Sequence, residues 1–370
     1  METEFECTGK LLDVRNLSME IIQDGLVKPF IEQILTYTVF AVIVIVGLVA
    51  NGLFLFVVYK VESMQTVMNA YLVNLAVADM IILGYGYIDR LYFYVSTPLN
   101  IGFDLFGPAY CVISTLFEVT YYVSVLTVTL FSMERYTAVC HPMRHIKIST
   151  FHRTLSLLAG TWLYSLILAA LQIPSRGRRA LYCILFPDDS EYRYLSGDTA
   201  YCTSFSPTYR NAIGVPLQLF PFYAALFGTA FFYAMIIWRL RNRREDIGGG
   251  KECDQATVAA KRALIAATRM IIINGCTFFL CNAPLQFFVT ATWIFGLVGY
   301  QMKLPIAGRR NIFLVLTILL YLNSAVNPFI YGVTNPRYRN AFLKALSLDK
   351  KESKTRTDPS AATAMTSMVD

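Results

Sequence analysis

The sequence has few charged residues for its length. Of its 370 residues, 15% are charged and 55% are hydrophobic, whereas a soluble domain carries about a quarter charged residues. It contains only three histidines, His141, His145 and His152, and these lie close together. No cysteine–histidine set has metal-ligand spacing, and no nucleophile elbow occurs. These absences argue against an ordinary soluble fold and against a metal-dependent or nucleophilic enzyme.

The hydrophobic residues are concentrated in seven blocks that contain no lysine or arginine. A helix needs about 20 mostly apolar residues to cross a bilayer, and a backbone without water must bond to itself, so each block should be helical. The blocks cover 35–59, 66–88, 111–133, 154–174, 211–238, 270–302 and 311–336. We predict an all-α membrane protein, a seven-transmembrane helix bundle.

Charges between the blocks predict the orientation. Residues 1–32 carry seven acids and three bases, and the polar start leads us to expect no secretory signal peptide. The link between the fifth and sixth blocks and the segment after the seventh are basic, and short basic loops stay in the cytoplasm. Two outer links carry basic residues that oppose this orientation: Arg176, Arg178 and Arg179 before the fifth block, and Lys303, Arg309 and Arg310 before the seventh. We predict a plasma-membrane protein with its N-terminus outside, whose net charge of +7 reflects the cytoplasmic face rather than nucleic-acid binding.

This topology divides the chain into an extracellular segment (1–32), a transmembrane domain (33–345) and a disordered cytoplasmic tail (346–370). A sequon begins at Asn16, so we expect glycosylation there. The cysteines separate by side. Cys7, Cys111, Cys183 and Cys202 fall outside or at an outer helix end, where disulfides persist. We expect Cys140, Cys253, Cys276 and Cys281 to be reduced.

Only two acids, Asp79 and Glu118, lie inside the blocks. A carboxylate at the bilayer centre costs at least about 2.5 kcal/mol, so Asp79 should face the interior of the bundle and find partners there. Mid-depth candidates are Asn51, Ser124, Asn323 and Asn327, which could form with it a hydrated cluster that holds a small cation. The simpler alternative is a protonated, hydrogen-bonded Asp79.

An acid and a base, Glu134 and Arg135, directly follow the third block. They fall at its predicted cytoplasmic mouth. We expect the two side chains to pair with each other when the bundle is closed and to separate when a cytosolic protein binds. The alternative is that Arg135 only extends its charge into the interface, as arginine does at many helix ends.

Several short motifs follow one another along the blocks. They are GLVAN (47–51), NLAVAD (74–79), ERY (134–136), the single Trp162 of block four, FFLCNAP (278–284), NPFIY (327–331) and NPRYRNAF (335–342). In this order they make the chain resemble the rhodopsin-like (class A) G-protein-coupled receptors from about residue 35 to 345. Within that family it most resembles invertebrate neuropeptide receptors of the FMRFamide, myosuppressin and thyrotropin-releasing-hormone-like groups.

The resemblance implies a function, partners and an architecture. A receptor of this family binds an extracellular ligand and activates a heterotrimeric G protein, here through Glu134, Arg135, Tyr136, Tyr233, Asn327, Pro328 and Tyr331. From the polar cluster itself we expect that Asp79, Ser124, Asn323 and Asn327 can hold a sodium ion, and we expect no other cofactor. The resemblance also implies a short amphipathic eighth helix, contact with membrane lipid, and arrestin and receptor kinase acting at the Ser/Thr-rich tail.

An extracellular β-hairpin is predicted between the fourth and fifth blocks. Two aromatic, β-prone runs, ALYCILF (180–186) and AYCTSF (200–205), flank a turn-rich stretch. We expect a disulfide from Cys111 to Cys202, which lies on the strand entering block five, and this leaves Cys183 to pair with Cys7.

The chain departs from the family pattern at several points. Asn282 stands where the family has a bulky tryptophan, and Pro221 lies a turn too early in the fifth helix. Cys111 and Arg135 are one position closer than expected, so either the top of the third helix is altered or the disulfide attaches lower. The bottom of the sixth helix has bases but no acid that could lock Arg135, which predicts some basal activity.

The ligand is predicted from the outer helix ends. Block seven has no lysine, which excludes a retinal Schiff base. Acids beside aromatic rings suit the Arg-Phe-amide end of a peptide through ion pairing and stacking. The predicted ligand-binding residues are Asp89, Glu118, Tyr122, Gln286, Trp293 and Tyr321. The alternative is a biogenic amine or another small molecule at Glu118, and a transporter or ion pathway is a remote one.

Overall fold

Seven membrane-length helices form the body of the protein. The structure, a computed structural model, describes residues 9–96, 99, 107–187, 197–245, 255–300 and 305–356. Within these ranges seven helices are long and apolar enough to cross a membrane. The first to seventh spans are Phe30–Lys60, Val67–Ser96, Gly107–Cys140, Phe151–Arg176, Pro207–Asn242, Leu264–Leu297 and Gly308–Thr334. Each coincides with one predicted block, so the predicted bundle is confirmed.

The helices continue beyond the membrane on the side opposite the N-terminus. The fifth helix runs to Glu245, and the sixth is continuous over Gln255–Leu297. A short loop helix, Pro142–Ile148, follows the third span. The eighth helix covers Pro336–Arg356 and, at 21 residues, is longer than expected. Its first turn is capped by Asn335, whose side-chain oxygen accepts from the Arg337 backbone N–H at 3.1 Å.

The third span is interrupted near its outer end. One helix covers Tyr110–Leu116 and the next covers Glu118–Cys140, with Phe117 between them. This break decides between the two explanations for the short spacing from Cys111 to Arg135, because it alters the top of the third helix locally. It also places Glu118 in the first turn of the longer helix, directly below the interruption.

Polar side chains tie the second, third and fourth spans together. The Trp162 indole N–H donates to Asn74 Oδ1 at 2.8 Å, and the Asn74 amide donates to Thr127 Oγ1 at 2.8 Å. Asn74 is buried. In hydrocarbon these groups have no water to bond, so Asn74 depends on Trp162 and Thr127 for its partners.

A three-stranded sheet covers the end of the bundle that carries the N-terminus. Strands β2 (Arg178–Leu185) and β3 (Gly197–Thr203) pair antiparallel, which confirms the predicted hairpin. The Cys111–Cys202 disulfide joins β3 to the third span, as expected. Cys183 is also disulfide-bonded, and its predicted partner, Cys7, lies outside the described residues.

The N-terminal segment adds structure that the sequence did not predict. Strand β1 (Lys10–Asp13) pairs parallel with β2, giving the order β1–β2–β3. A helix over Met19–Leu26 follows. A buried apolar cluster packs this N-terminal segment against the hairpin. Its members are Val14, Ile22, Leu99, Ile184 and Phe186.

The outer faces of the spans are apolar. Side chains such as Ile45, Val49, Phe227 and Leu280 are between 62% and 74% exposed. A water-soluble protein rarely exposes so large a contiguous apolar surface. The bundle is therefore built to face lipid around its circumference.

We predict that Trp162→Phe destabilises the bundle. Phenylalanine keeps the ring but cannot donate, so Asn74 Oδ1 is left buried without its donor, at a cost of about 1–3 kcal/mol. The melting temperature in detergent should fall by roughly 2–10 °C. Trp238→Phe is the matched control, because Trp238 is 54% exposed on the lipid-facing side and should melt like the parent. Equal falls in melting temperature for both variants would contradict the stabilising role of the Trp162–Asn74 hydrogen bond.

Candidate functional site

The bundle has two functionally distinct ends. We call the end with the three-stranded sheet the hairpin end, and the opposite one, where the third span ends, the Arg135 end. A chain of buried polar groups lies between them at mid-depth.

A cavity of about 580 Å³ opens toward the hairpin end. The second to seventh spans all contribute to its wall, which combines aromatic rings with amide side chains and a few charges. Four of the six predicted ligand-binding residues lie on this wall, namely Glu118, Tyr122, Gln286 and Tyr321.

Glu118 is the centre of the charge arrangement in the cavity. Its carboxylate pairs with the Arg176 guanidinium, which ends the fourth span. The same guanidinium also donates to Gln218 Oε1 of the fifth span. The Tyr122 hydroxyl donates to the second Glu118 oxygen at 3.4 Å. The acid predicted to meet a ligand cation therefore already holds a cation from its own chain.

Aromatic and amide groups shape the rest of the wall. Gln286 donates to the Tyr121 hydroxyl at 2.8 Å, which joins the sixth span to the third. The Tyr321 ring fits against Gly86 of the second span, where a Cβ atom would stand 3.2 Å from the ring's Cζ. Glycine at 86 thus lets Tyr321 lie back toward the second span and keeps the cavity open.

Two predicted residues lie off the cavity wall. Asp89 accepts from the Tyr110 hydroxyl at 3.5 Å, within the packing between the second and third spans. Trp293 donates to the Asn211 backbone carbonyl at 3.0 Å and so ties the sixth span to the fifth. Neither residue is among those that line the cavity.

Sequence reasoning missed several wall residues. The structure adds Phe117, Tyr121, Gln172, Arg176, Arg210 and Gln218. Arg176 had been counted only as a charge on the outer link. The sequence did offer one signal for Arg176: it lies just after an apolar block, and an arginine at a helix end can turn back along the helix into the bundle. Its partner Glu118 is 58 residues away in the sequence.

The mid-depth cluster contains oxygens without partners. The Asn327 amide donates to Asp79 Oδ2 at 2.7 Å, which ties the seventh span to the second. Among the buried oxygens that have no hydrogen-bond partner in the described part of the chain, four belong to the predicted cluster: Asn51 Oδ1, Asp79 Oδ1, Ser124 Oγ and Asn323 Oδ1. Buried polar atoms normally have partners, and a set of oxygens that includes one carboxylate suits a small hard cation.

At the Arg135 end, the expected Glu134–Arg135 pair does not form. Glu134 contacts Arg153 of the fourth span at 3.3 Å and His145 of the loop helix at 3.4 Å. No ion pair joins Glu134 to Arg135 in the described structure. Adjacent residues of a helix point in different directions, so Glu134 turns toward the fourth span. Arg135 has Tyr338 and Arg337 of the eighth helix within electrostatic range, and Glu134 as well, although it forms no ion pair with that acid.

The tyrosines of the activation motifs occupy separate positions at this end. Tyr136 stacks on Phe232 with ring centroids 5.4 Å apart, and its hydroxyl lies 3.2 Å from His141 Nε2. Tyr331 is buried against Phe54 and Tyr338. Pro328 lies inside the seventh helix. Tyr233 hydrogen-bonds to Ser132 of the third span and Ile271 of the sixth, and no hydrogen bond joins it to Arg135 in the described structure.

Seven spans, a sheet tied to the third span and a polar core between two open ends define a seven-helix receptor. The profile of the family described as 7 transmembrane receptor (rhodopsin family) matches residues 50–331. The chain belongs to this family, the class A G-protein-coupled receptors. It is therefore a multi-pass membrane receptor that couples to G proteins, and not an enzyme.

Individual relatives refine this assignment. The chain is 30% identical to neuromedin-U receptor 2 of Mus musculus over 312 residues, covering 84% of this chain and 74% of that one. It is 27% identical to neuromedin-U receptor 1 of Rattus norvegicus over 363 residues, covering 93% and 80%. It is 25% identical to somatostatin receptor type 5 of Bos taurus over 328 residues, covering 87% and 79%. The predicted likeness to invertebrate neuropeptide receptors remains a prediction.

We predict that Arg135→Ala abolishes nucleotide exchange on the G protein. In the described structure Glu134 is paired with Arg153 and His145, whereas the Arg135 guanidinium forms no ion pair with an acid, and it therefore remains available to a partner. The variant should reach the surface and bind ligand as the parent does, while exchange falls at least about tenfold, the equivalent of losing one charge-assisted contact. Parent-like exchange from a well-expressed variant would contradict this role.

Proposed function

We propose that this receptor lies in the plasma membrane with its hairpin end extracellular and binds a peptide there. Two of the basic residues on the outer links form ion pairs within the protein, which supports this orientation. At the hairpin end Arg176 is paired with Glu118, and Arg310 is paired with Glu32 at 2.8 Å, so these bases are neutralised locally. Asn16 lies in an exposed turn of this end, where glycosylation would be possible.

The observation that carries the peptide proposal is the Glu118–Arg176 pair inside an aromatic cavity. It places a carboxylate, amide groups and stacked rings together, which suits the arginine and amide end of a peptide. The similar receptors are named for neuromedin U and somatostatin. A biogenic amine is less well supported, because the similar receptors are named for peptides and the cavity is wide.

The ligand's arginine takes the place of Arg176 in this proposal. Arg176 has a second acceptor, Gln218, so it can give up Glu118 without losing every partner. The exchange replaces one guanidinium–carboxylate pair by another. Affinity then depends on how well the incoming arginine stacks and bonds within the cavity, and a neutral ligand end would have to leave the internal pair intact.

On the opposite side, we propose contact with the G protein through Glu134, Arg135 and Tyr136, with Tyr233, Asn327, Pro328 and Tyr331 moving during activation. Arrestin and a receptor kinase act on the Ser/Thr-rich tail, of which residues 357–370 lie outside the described part. Membrane lipid covers the apolar faces of the spans.

We also propose that a sodium ion binds among Asp79, Ser124, Asn323 and Asn327. The support is the set of buried oxygens without partners at this depth. When bound, the ion would neutralise the Asp79 carboxylate. The protein's part is to supply oxygen ligands and, through the Asn327 amide, to keep the seventh span next to Asp79.

We predict that Glu118→Gln lowers the potency of an arginine-ended agonist. The variant keeps the shape of the side chain but loses the charge, and loss of one partner from a buried charged pair costs about 2–5 kcal/mol, or roughly 30- to several-thousand-fold in affinity. A panel of amidated neuropeptides, including neuromedin U and somatostatin, would be screened by arrestin recruitment. Replacing the peptide's arginine by a neutral residue should partly restore potency at this variant.

Asp89→Asn is the matched comparison for that experiment. Both residues were predicted from sequence as counter-charges, but only Glu118 lines the cavity. Asp89→Asn should therefore change potency much less than Glu118→Gln. If both variants respond like the parent, the acidic-cavity proposal is wrong, and a neutral or lipid ligand is better supported.

We predict that Asp79→Asn removes a stabilising effect of sodium. A ligand that binds only the folded state raises its stability, so the parent should melt at a higher temperature in sodium chloride than in choline chloride of equal ionic strength. Asp79→Asn should melt equally in both salts, while Glu118→Gln keeps the difference. A parent protein indifferent to the two salts would mean that the cluster is only structural.

A further inference from the structure

The sixth helix has no acid with which to hold Arg135. Between Gln255 and Leu297 it contains no aspartate and no glutamate. An ion pair from Arg135 to this helix is therefore impossible. Some other contact must keep the inner half of the sixth span against its neighbours in the resting receptor.

One hydroxyl group joins the third, fifth and sixth spans in the inner half of the bundle. The Tyr233 side chain reaches from the fifth span, and its O–H donates to the Ile271 backbone carbonyl of the sixth span at 2.9 Å. The same hydroxyl accepts from Ser132 of the third span at 2.9 Å. Ser132, Tyr233 and Ile271 are all buried, so water does not compete for these bonds.

Gly275 makes this contact possible. It follows Ile271 by four residues and so lies on the same face of the helix, one turn away. A Cβ atom at 275 would stand 2.9 Å from Tyr233 Cζ and 3.0 Å from Cε2, and nearer still to the hydroxyl. Real Cβ atoms do not approach other atoms this closely. Any larger residue at 275 would therefore push Tyr233 off the Ile271 carbonyl.

We propose that Gly275 is a positioning residue for activation: its missing side chain forms a notch that admits the Tyr233 hydroxyl and so holds the sixth span in its resting place. The notch does the work that a carboxylate at the bottom of the sixth helix would do. Movement of the inner half of the sixth span away from the bundle breaks the Tyr233–Ile271 bond.

The Tyr233–Ile271 hydrogen bond, which we call the latch, is weak enough to be broken when a ligand or a G protein binds. When it opens, the Ile271 carbonyl keeps its helical partner, the Gly275 N–H, so no buried acceptor is left bare. The Tyr233 hydroxyl keeps Ser132. A single neutral hydrogen bond of this kind shifts an equilibrium by about two- to tenfold, which is compatible with a receptor that has measurable basal activity.

The test is basal nucleotide exchange by Gly275→Ala without any ligand. Membranes containing equal surface amounts of receptor would be incubated with purified G proteins of each major class, and binding of a non-hydrolysable GTP analogue would be followed. We expect basal exchange to rise about two- to tenfold. Adding Arg135→Ala to this variant should return exchange to background, because the rise must pass through the activation motif.

Gly228→Ala is the matched control. Gly228 lies in the neighbouring fifth helix, where an added Cβ would meet no atom within 4 Å, so it carries the same change in helix propensity without displacing Tyr233. It should behave like the parent. An unchanged or lowered basal rate for Gly275→Ala, or an equal rise for both variants, would overturn the proposal.

Ser132→Ala decides the matter if Gly275→Ala fails to reach the surface. It removes the donor that aims the Tyr233 hydroxyl and leaves the notch itself intact. A rise in basal exchange for this variant supports the latch, and a parent-like rate overturns it.

Discussion

The absence of water from the hydrocarbon region is the constraint on which this structure depends. Backbone groups satisfy one another within helices, but a polar side chain inside the bundle must find its partner on its own helix or on another span. Asn74 meets Trp162 and Thr127, and Asp79 meets Asn327. Because lipid gives helices little hydrophobic reason to associate, such bonds, together with close packing, decide which spans are neighbours.

Charges follow the same constraint at the two ends, where water is only partly present. Glu118 is held by Arg176, and Glu134 is held by Arg153 and His145. In both cases the third span supplies the acid and the fourth span supplies an arginine, so the fourth span neutralises the third at both ends. This leaves Arg135 as the basic residue of the activation motif that is not paired with an acid in the described structure, which is what a docking partner requires.

The sequence predicted those features that depend on local composition. Length and apolar content located the seven spans, and alternating runs with turn residues located the hairpin and the cysteine that ties it to the third span. Pairings between distant elements could not be predicted in this way. Glu134 was expected to pair with its neighbour Arg135, but helix geometry turns the two apart, and Arg153 was 19 residues away. The parallel strand β1 was not predicted for a similar reason, because a run of four residues is too short for its alternation to indicate a strand.

The sixth span shows how a receptor without the bulky tryptophan can still move. Asn282 is buried and donates to the Phe278 carbonyl at 2.8 Å, so it reinforces its own helix just before Pro284, where the proline removes a backbone donor. Two hydroxyls tie this span to the fifth, one on each side of that proline. The Tyr223 hydroxyl lies 2.8 Å from Thr290 Oγ1 in the outer half, and Tyr233 bonds in the inner half. A change of angle at Pro284 can therefore break the inner tie while the outer one persists. In the proposed latch, the inner half would swing as a rigid unit, and the switch would lie in the kink and its two hydroxyl bonds rather than in the rotamer of one large ring.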